Sequence, residues 1–270
     1  RIPREEIEQL QLNLLRSHAC GVGELLEEAE VRAALLVRAN SLAKGFSGVR
    51  TDVVDKLLEL LNRGVHPLVP SRGSVGASGD LAPSAHMALV LVGEGEAVYR
   101  GERWSGREAL ERARIAPLQL QAKEGLSLLN GTHFMAAAGG LALARALDLI
   151  ETADVAGALS LEVLLGTPVA SDPRIQHVRP HPGQQRTATN ITRLLRSSQI
   201  VESHRDCVRL QDAYSLRCMP QVHGAVRDAL NHAKDVLTRE INSATDNPLV
   251  FTSDGAILAG GNFHGAPLGY

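Results

Sequence analysis

Aromatic side chains are scarce in this 270-residue chain: four Phe, three Tyr and one Trp, 3% in all. With so few rings and a net charge of −2, the sequence has neither a basic stripe nor aromatics interleaved with basic residues, so a nucleic-acid partner is not expected. Cysteine is equally sparse. Cys20, Cys207 and Cys218 form no CxxC pair and no even-numbered framework, which predicts free thiols in a reducing, cytoplasmic setting. Uninterrupted hydrophobic runs are also missing. The apolar stretch after His133 carries Arg145, Asp148, Glu151 and Asp154, so it reads as a buried helix and not as a membrane span. No secretory leader pattern is visible, and the chain opens on Arg1 without an initiator Met and closes at Tyr270, so it is expected to be a fragment or a processed piece. Histidines do not cluster as ligands. His177 and His181 are separated by Pro180, no third ligand is apparent, and His223 and His232 read as helix residues; no metal is expected. Gly73, Gly76 and Gly79 are spaced by three, not as G-x-G-x-x-G, and no Gly-Lys-Ser/Thr follows, so no nucleotide is expected either.

What is present is helical. Hydrophobic residues make up 44% and charged residues 21%, and the core must come from Leu, Ala and Val. Helical periodicity predicts helices over Glu5–His18, about Glu24–Ala43, a third capped by Thr51 or Asp52 and ended by Gly64, a fourth with Pro83 in its first turn, and a short one capped by Ser105. A long helix or broken pair is expected over Thr132–Leu165, and further helices over Thr187–Ser198 and Gln221–Ala244. Residues 93–101 read as a hairpin or loop, 171–183 as a long proline-bearing loop, and 246–261 as a turn with a small hairpin. The predicted class is mainly α, an elongated helical bundle with a minor β-hairpin component. Composition marks no boundary, and a division into 1–130 and 131–270 separates a glycine-loop region from the start of the bundle.

The strongest signal is Gly73-Ser-Val-Gly-Ala-Ser-Gly-Asp-Leu-Ala-Pro-Ser-Ala-His86. Within it, Ala77-Ser78-Gly79 can become a carbon electrophile, a group that side chains do not otherwise supply. Attack of the Gly79 nitrogen on the Ala77 carbonyl carbon closes a five-membered ring. Loss of that oxygen as water, and of the Ser78 hydroxyl as a second water, leaves an exocyclic methylidene. Gly79 permits the bent approach, Ser78 carries the leaving hydroxyl, and Ala77 leaves the attacked carbon uncrowded. A bare Ala-Ser-Gly would be an ordinary turn; the seven-residue run Ala-Ser-Gly-Asp-Leu-Ala-Pro is much more specific.

Other segments carry polar groups at suggestive spacing. In Gln211-Asp-Ala-Tyr214-Ser-Leu-Arg217, a single helical stretch would align an amide, a phenol and a guanidinium on one face. Arg217 suits a carboxylate and Tyr214 suits proton movement, although spacing alone equally fits a surface face. Asn130-Gly131 alone is a turn, Phe263 alone a core aromatic, and His18 alone an ordinary helix histidine.

Taken together these segments resemble the ammonia-lyases and aminomutases that carry 4-methylidene-imidazol-5-one (MIO), and most closely the histidine ammonia-lyases. The resemblance runs from about Asn13 to Gly265, and rests on the Ala-Ser-Gly run, on Gly125-Leu-Ser-Leu-Leu-Asn130-Gly-Thr, on Gln211–Gln221 and on Gly260-Gly-Asn-Phe263-His-Gly. It implies a fumarase/aspartase-like helical fold, MIO as the only cofactor, a small amino acid substrate, and a homotetramer with shared sites in which 211–217 faces a neighbour's MIO. By the same resemblance, Ala77, Ser78 and Gly79 form the electrophile, and Asn130 and Tyr214 support it and proton movement. Arg217 holds the substrate carboxylate, His18 the imidazole, and Gln211 and Phe263 complete the pocket. Ser17-His18 resembles the histidine-specific pattern, against an apolar pair or His-Leu in phenylalanine and tyrosine enzymes. Ala266 and Ala213 depart from a frequent Glu and Pro. Family members are roughly twice as long, and a Tyr base upstream and a Glu downstream fall outside this sequence. Elimination of ammonia from L-histidine to give trans-urocanate is therefore expected. The alternatives are a phenylalanine or tyrosine enzyme with the same electrophile, and a non-catalytic or truncated helical subunit.

Overall fold

In the computed structural model, residue 3 and residues 6–269 are described; Arg1, the expected helix start at Glu5, and Tyr270 lie outside them. Packing divides the chain into two compact units, Arg1–Leu141 with Val236–Tyr270, and Ala142–Asp235. The elements run α1 (Ile7–His18), β1 (Val22–Leu25), α2 (Glu28–Ala43), α3 (Thr51–Arg63), β2 (Val65–Pro67), β3 (Pro70–Arg72), α4 (Leu81–Leu91), β4 (Glu96–Tyr99), β5 (Glu102–Ser105), α5 (Gly106–Ala113), α6 (Glu124–Leu129) and α7 (His133–Val163). A 3-10 turn at Pro168–Ser171 follows, then α8 (Pro173–His177), α9 (Pro182–Leu194), α10 (Gln199–Ser203), α11 (Tyr214–Arg217), α12 (Met219–Ile241), β6 (Leu249–Phe251), β7 (Ala256–Leu258) and α13 (Ala266–Gly269). The chain is mainly α, with three small antiparallel sheets, β1-β3, β2-β4-β5 and β6-β7.

The first unit is built around Leu15, Leu35, Leu57, Leu60, Met87, Leu91, Leu110, Leu128 and Leu129, all almost fully buried. Each such side chain contributes about 2 kcal/mol by leaving water, so aliphatic residues from six helices hold this unit with almost no aromatic help. Ser105 caps α5 as expected, in a capping box with Glu108, and Gly64 ends α3 in the left-handed conformation.

Several local expectations need correction. The second helix starts at Glu28, not at about Glu24, because Val22–Leu25 pairs with Pro70–Arg72 as a strand. Arg50, not Thr51 or Asp52, occupies the N-cap of α3, and its guanidinium turns instead to Glu124. Residues 171–183 are not one long loop: Pro173 and Pro182 stand at the first helical positions of α8 and α9, where a missing N–H costs nothing. The thirty-one-residue α7 is unbroken; its first turns are largely buried, and beyond them Ile150, Asp154, Ala158 and Leu161 form a buried face. Leu149, Val155, Leu159 and Val163 are exposed in this chain, so the expected buried helix holds for the first turns and for one face of the remainder. By length and hydropathy α7 could cross a membrane.

In the second unit Ala158, Leu161, Ile191, Leu195, Leu216 and Met219 form the core. Asp154 on α7 is 1% exposed and accepts from Arg227 Nη2 (2.5 Å), Asn190 Nδ2 (2.8 Å) and the His223 ring (2.9 Å). These contacts tie α7, α9 and α12 together. A buried carboxylate needs such partners.

Candidate active site

The Ala-Ser-Gly segment lies between β3 and α4. Ala77 is exposed, Ser78 is half-buried, and Gly79 and Asp80 are buried. Gly79 has φ +82°, and a Cβ there would run into the Gly131 carbonyl. Only glycine permits both the conformation and the approach. Gly79 and Gly131 pair as an isolated parallel bridge, and Asp80 N donates to Gly131 O at 2.7 Å. The loop after α6 thus carries Asn130 to the edge of the Ala-Ser-Gly segment. Asn130 is 7% exposed, and its side-chain amide has no hydrogen-bond partner among the described residues.

Asp80 is the anchor of this arrangement. Its carboxylate is wholly buried and accepts from Ser74 Oγ (2.7 Å), Phe134 N (2.9 Å) and Met135 N (3.0 Å). The last two are free N–H groups in the first turn of α7, where negative charge is favoured. Burial pushes the Asp80 carboxyl above its ordinary pKa, and the three hydrogen bonds oppose that rise. Ser84 Oγ donates to Asp80 O, so it can only accept from His133 Nε2 at 2.9 Å. His133 is therefore the Nε2–H tautomer, and burial followed by the charge of Arg38 holds it well below its usual pKa. It stays neutral.

Beneath Gly131 lies Arg38, which is fully buried with no hydrogen-bond partner for any guanidinium nitrogen. Burial lowers its pKa to about 10, against the opposing charge of Asp246. A Cβ on Gly131 would sit 2.8 Å from both Arg38 Nη1 and Thr245 Oγ1, so this loop too requires glycine. Lys123 Nζ, bonded to Ser47 O (2.6 Å), Ser127 Oγ (2.8 Å) and Asp246 Oδ2 (3.1 Å), completes a cationic support under the loop.

The Phe263 segment joins the same place. Gly265 N donates to Gly76 O at 2.8 Å, and Asn262 Nδ2 donates to Ala244 O at 3.2 Å, leaving Phe263 half-buried. His18 ends α1. Its Nδ1 lies 2.9 Å from Leu14 O, and a carbonyl only accepts, so Nδ1 carries a proton and, in the neutral ring, Nε2 presents the lone pair. Downstream, Gly21 N donates to His86 Nε2 at 3.1 Å and Val22 pairs with Arg72, which fixes the end of α1 beside the approach to Gly73.

Gln211, Tyr214 and Arg217 belong to the other unit. The expected single helical stretch is not found: Gln211 is in an irregular segment and helix begins only at Tyr214. Asp212 is responsible, because its carboxylate accepts from Thr167 N (2.6 Å) and Arg209 Nη1 (3.1 Å) and holds the chain outside the helix. Tyr214 is 75% exposed. The Arg217 guanidinium lies 5.9 Å from its ring centre, and Arg217 Nε is buried without a partner. Gln211 and Arg217 line a cavity of about 520 Å³.

Asp80, His133 and Arg38 were not assigned roles from the sequence. Asp80 stands inside the quoted run and could have been found there; His133 and Arg38 carry no local signal. Among the described residues no group of three His, Cys, Asp or Glu side chains could hold a metal ion.

The sequence model of the aromatic amino acid lyase family matches residues 1–270. Histidine ammonia-lyase from Koribacter versatilis is 60% identical over all of this chain and 55% of its own length. That from Sorangium cellulosum is 58% identical over 99% of this chain and 53% of its length. Among solved structures, histidine ammonia-lyase from Trypanosoma cruzi superposes with a TM-score of 0.90 at 42% identity, covering 99% of this chain and 50% of that one. Phenylalanine aminomutase from Pantoea agglomerans gives 0.94 at 36% identity, covering 98% and 54%. The chain spans about half the length of the relatives it matches.

Proposed function

Since the chain belongs to the aromatic amino acid lyase family, we propose that it is the electrophile-bearing part of an enzyme that eliminates ammonia from L-histidine to give trans-urocanate. The observation that carries this reading is the seat of Gly79. It is left-handed, pressed on Gly131 and followed by the Asp80 anchor, so the tripeptide is held bent with Ala77 and Ser78 toward the open side. The residues fit MIO formation from Ala77, Ser78 and Gly79. When formed, MIO supplies an electrophile that activates the amino acid for loss of a weakly acidic β-proton and of ammonia.

The chain's own residues have separable tasks. Arg217 binds the substrate carboxylate as a bidentate partner. Asn130 offers its unpaired amide beside the electrophile, and Tyr214 carries protons. Gln211 and Phe263 bound the pocket. His18 sets the substrate: its Nε2 lone pair accepts from an imidazole N–H, and a phenyl ring would leave that acceptor unpaired. Identity to histidine ammonia-lyases of 52–60% supports histidine over phenylalanine or tyrosine. A homotetramer with sites shared between subunits and a cytoplasmic location belong to the same proposal. The charges of Arg145, Asp148, Glu151 and Asp154 along α7 support a soluble bundle helix. We retain 1–130 as the region that presents the electrophile and 131–270 as the start of the bundle.

Intact mass and substrate assays test the proposal. The protein should be lighter than its sequence by two waters and should release urocanate from L-histidine. An unmodified mass, or turnover of L-phenylalanine or L-tyrosine alone, refutes it. If the chain is silent alone and stays silent when mixed with a full-length relative, the non-catalytic reading replaces it.

A further inference from the structure

Gln221 closes the segment that carries Arg217, and no task above uses it. It lies on α12, which meets α11 at Cys218, whose N donates to Tyr214 O and whose O accepts from Val222 N, both at 3.0 Å. Positions 217 and 221 stand four residues apart across that junction. Both line the cavity of about 520 Å³, together with Gln211, Thr167 and Val169. In that cavity two buried atoms lack hydrogen-bond partners: Arg217 Nε, which can only donate, and Gln221 Oε1, which can only accept. Each is costly while unpaired, and each is what the other lacks.

We propose that Gln221 is a positioning residue for the substrate carboxylate, its Oε1 accepting from Arg217 Nε–H when the carboxylate engages the two terminal guanidinium nitrogens. The guanidinium is planar and its donors form a rigid fork. Fixing Nε fixes the plane in which the two outer nitrogens meet the carboxylate. The guanidinium lies near Tyr214 with this pair unmade, and a carboxylate would draw the two into register. This rests on the proposed function, in which Arg217 receives the carboxylate.

The test compares wild type, Gln221→Met and Gln221→Glu in the purified protein with L-histidine, using histamine, which lacks the carboxylate, as an inhibitor. Met preserves length without an acceptor, and loss of one bond to a charged group with an unpaired donor left behind raises KM about tenfold. Glu restores an acceptor but its charge competes with the substrate for Arg217, so KM rises further. kcat should stay within about twofold of wild type, and histamine inhibition and melting temperature should not change. Unchanged KM in both variants overturns the inference. So does a parallel weakening of histamine inhibition, which would mean a merely structural role. If wild type does not turn over L-histidine, the histidine reading fails separately. The positioning role is then read by calorimetric titration of L-phenylalanine and L-tyrosine, where Gln221→Met must weaken binding about tenfold; equal affinity overturns it.

Discussion

Removing the Asp80 carboxylate separates acceptor geometry from charge. In Asp80→Ala, the Phe134 and Met135 N–H groups and the Ser74 hydroxyl lose their acceptor, and the site is wholly buried. Each orphaned donor costs about 1–3 kcal/mol, so the two left after one finds a substitute cost about 2–6 kcal/mol together. Asp80→Asn behaves differently. Its amide oxygen still serves the two N–H groups, Ser74 can reverse its hydroxyl to accept from the amide, and the buried charge whose cost raises the carboxyl pKa is gone. A loss of about 1–2 kcal/mol remains, from bonds that are no longer charge-assisted. Thermal denaturation followed by circular dichroism reads both: at about 2–4 °C per kcal/mol, Asp80→Ala should melt about 4–24 °C below wild type and Asp80→Asn about 2–8 °C below it, the alanine variant always the lower. If the alanine variant melts with wild type, the carboxylate does not tie the loop to α7. If the two variants fall equally, charge and not acceptor geometry is what matters, and the reasoning is wrong.

Gly79→Ala places a Cβ against the Gly131 carbonyl at φ +82°; intact mass should show no loss of water, and a mass two waters light would show that the loop yields. Glu124 supplies a pH test. Burial would raise its carboxyl, but hydrogen bonds from the Arg50 side chain and the Gln121 and Arg50 backbones, with the Arg50 charge, hold it below 4.5. A lowered folded pKa contributes stability above the unfolded value and loses it as pH falls through the folded one. Glu124→Gln should therefore be less stable than wild type at pH 7 in urea unfolding, with the gap narrowing below about pH 4; an equal gap at both pH values contradicts this.

Local chemistry was legible in the sequence where one residue type does one job. Gly64, the Ser105 cap and Pro83 are of this kind, and each stands where its local role requires. Legibility failed where a long-range partner decides the outcome. Val22–Leu25 is a strand because Pro70–Arg72 lies beside it, and Gln211 is outside the helix because Asp212 is held by Thr167 and Arg209. Pro173 and Pro182 were legible but read the wrong way, as loop residues and not as helix starts.

By itself the sequence determined the helical class and the family, because these depend on periodicity and on residue identity over a few consecutive positions. Only the tertiary structure decided what holds Ala77-Ser78-Gly79 bent: Gly131 from a loop about fifty residues away, and the Asp80 carboxylate on the first N–H groups of α7. A buried charge or a glycine contact has no local signature, since its meaning lies in the partner that folding brings to it.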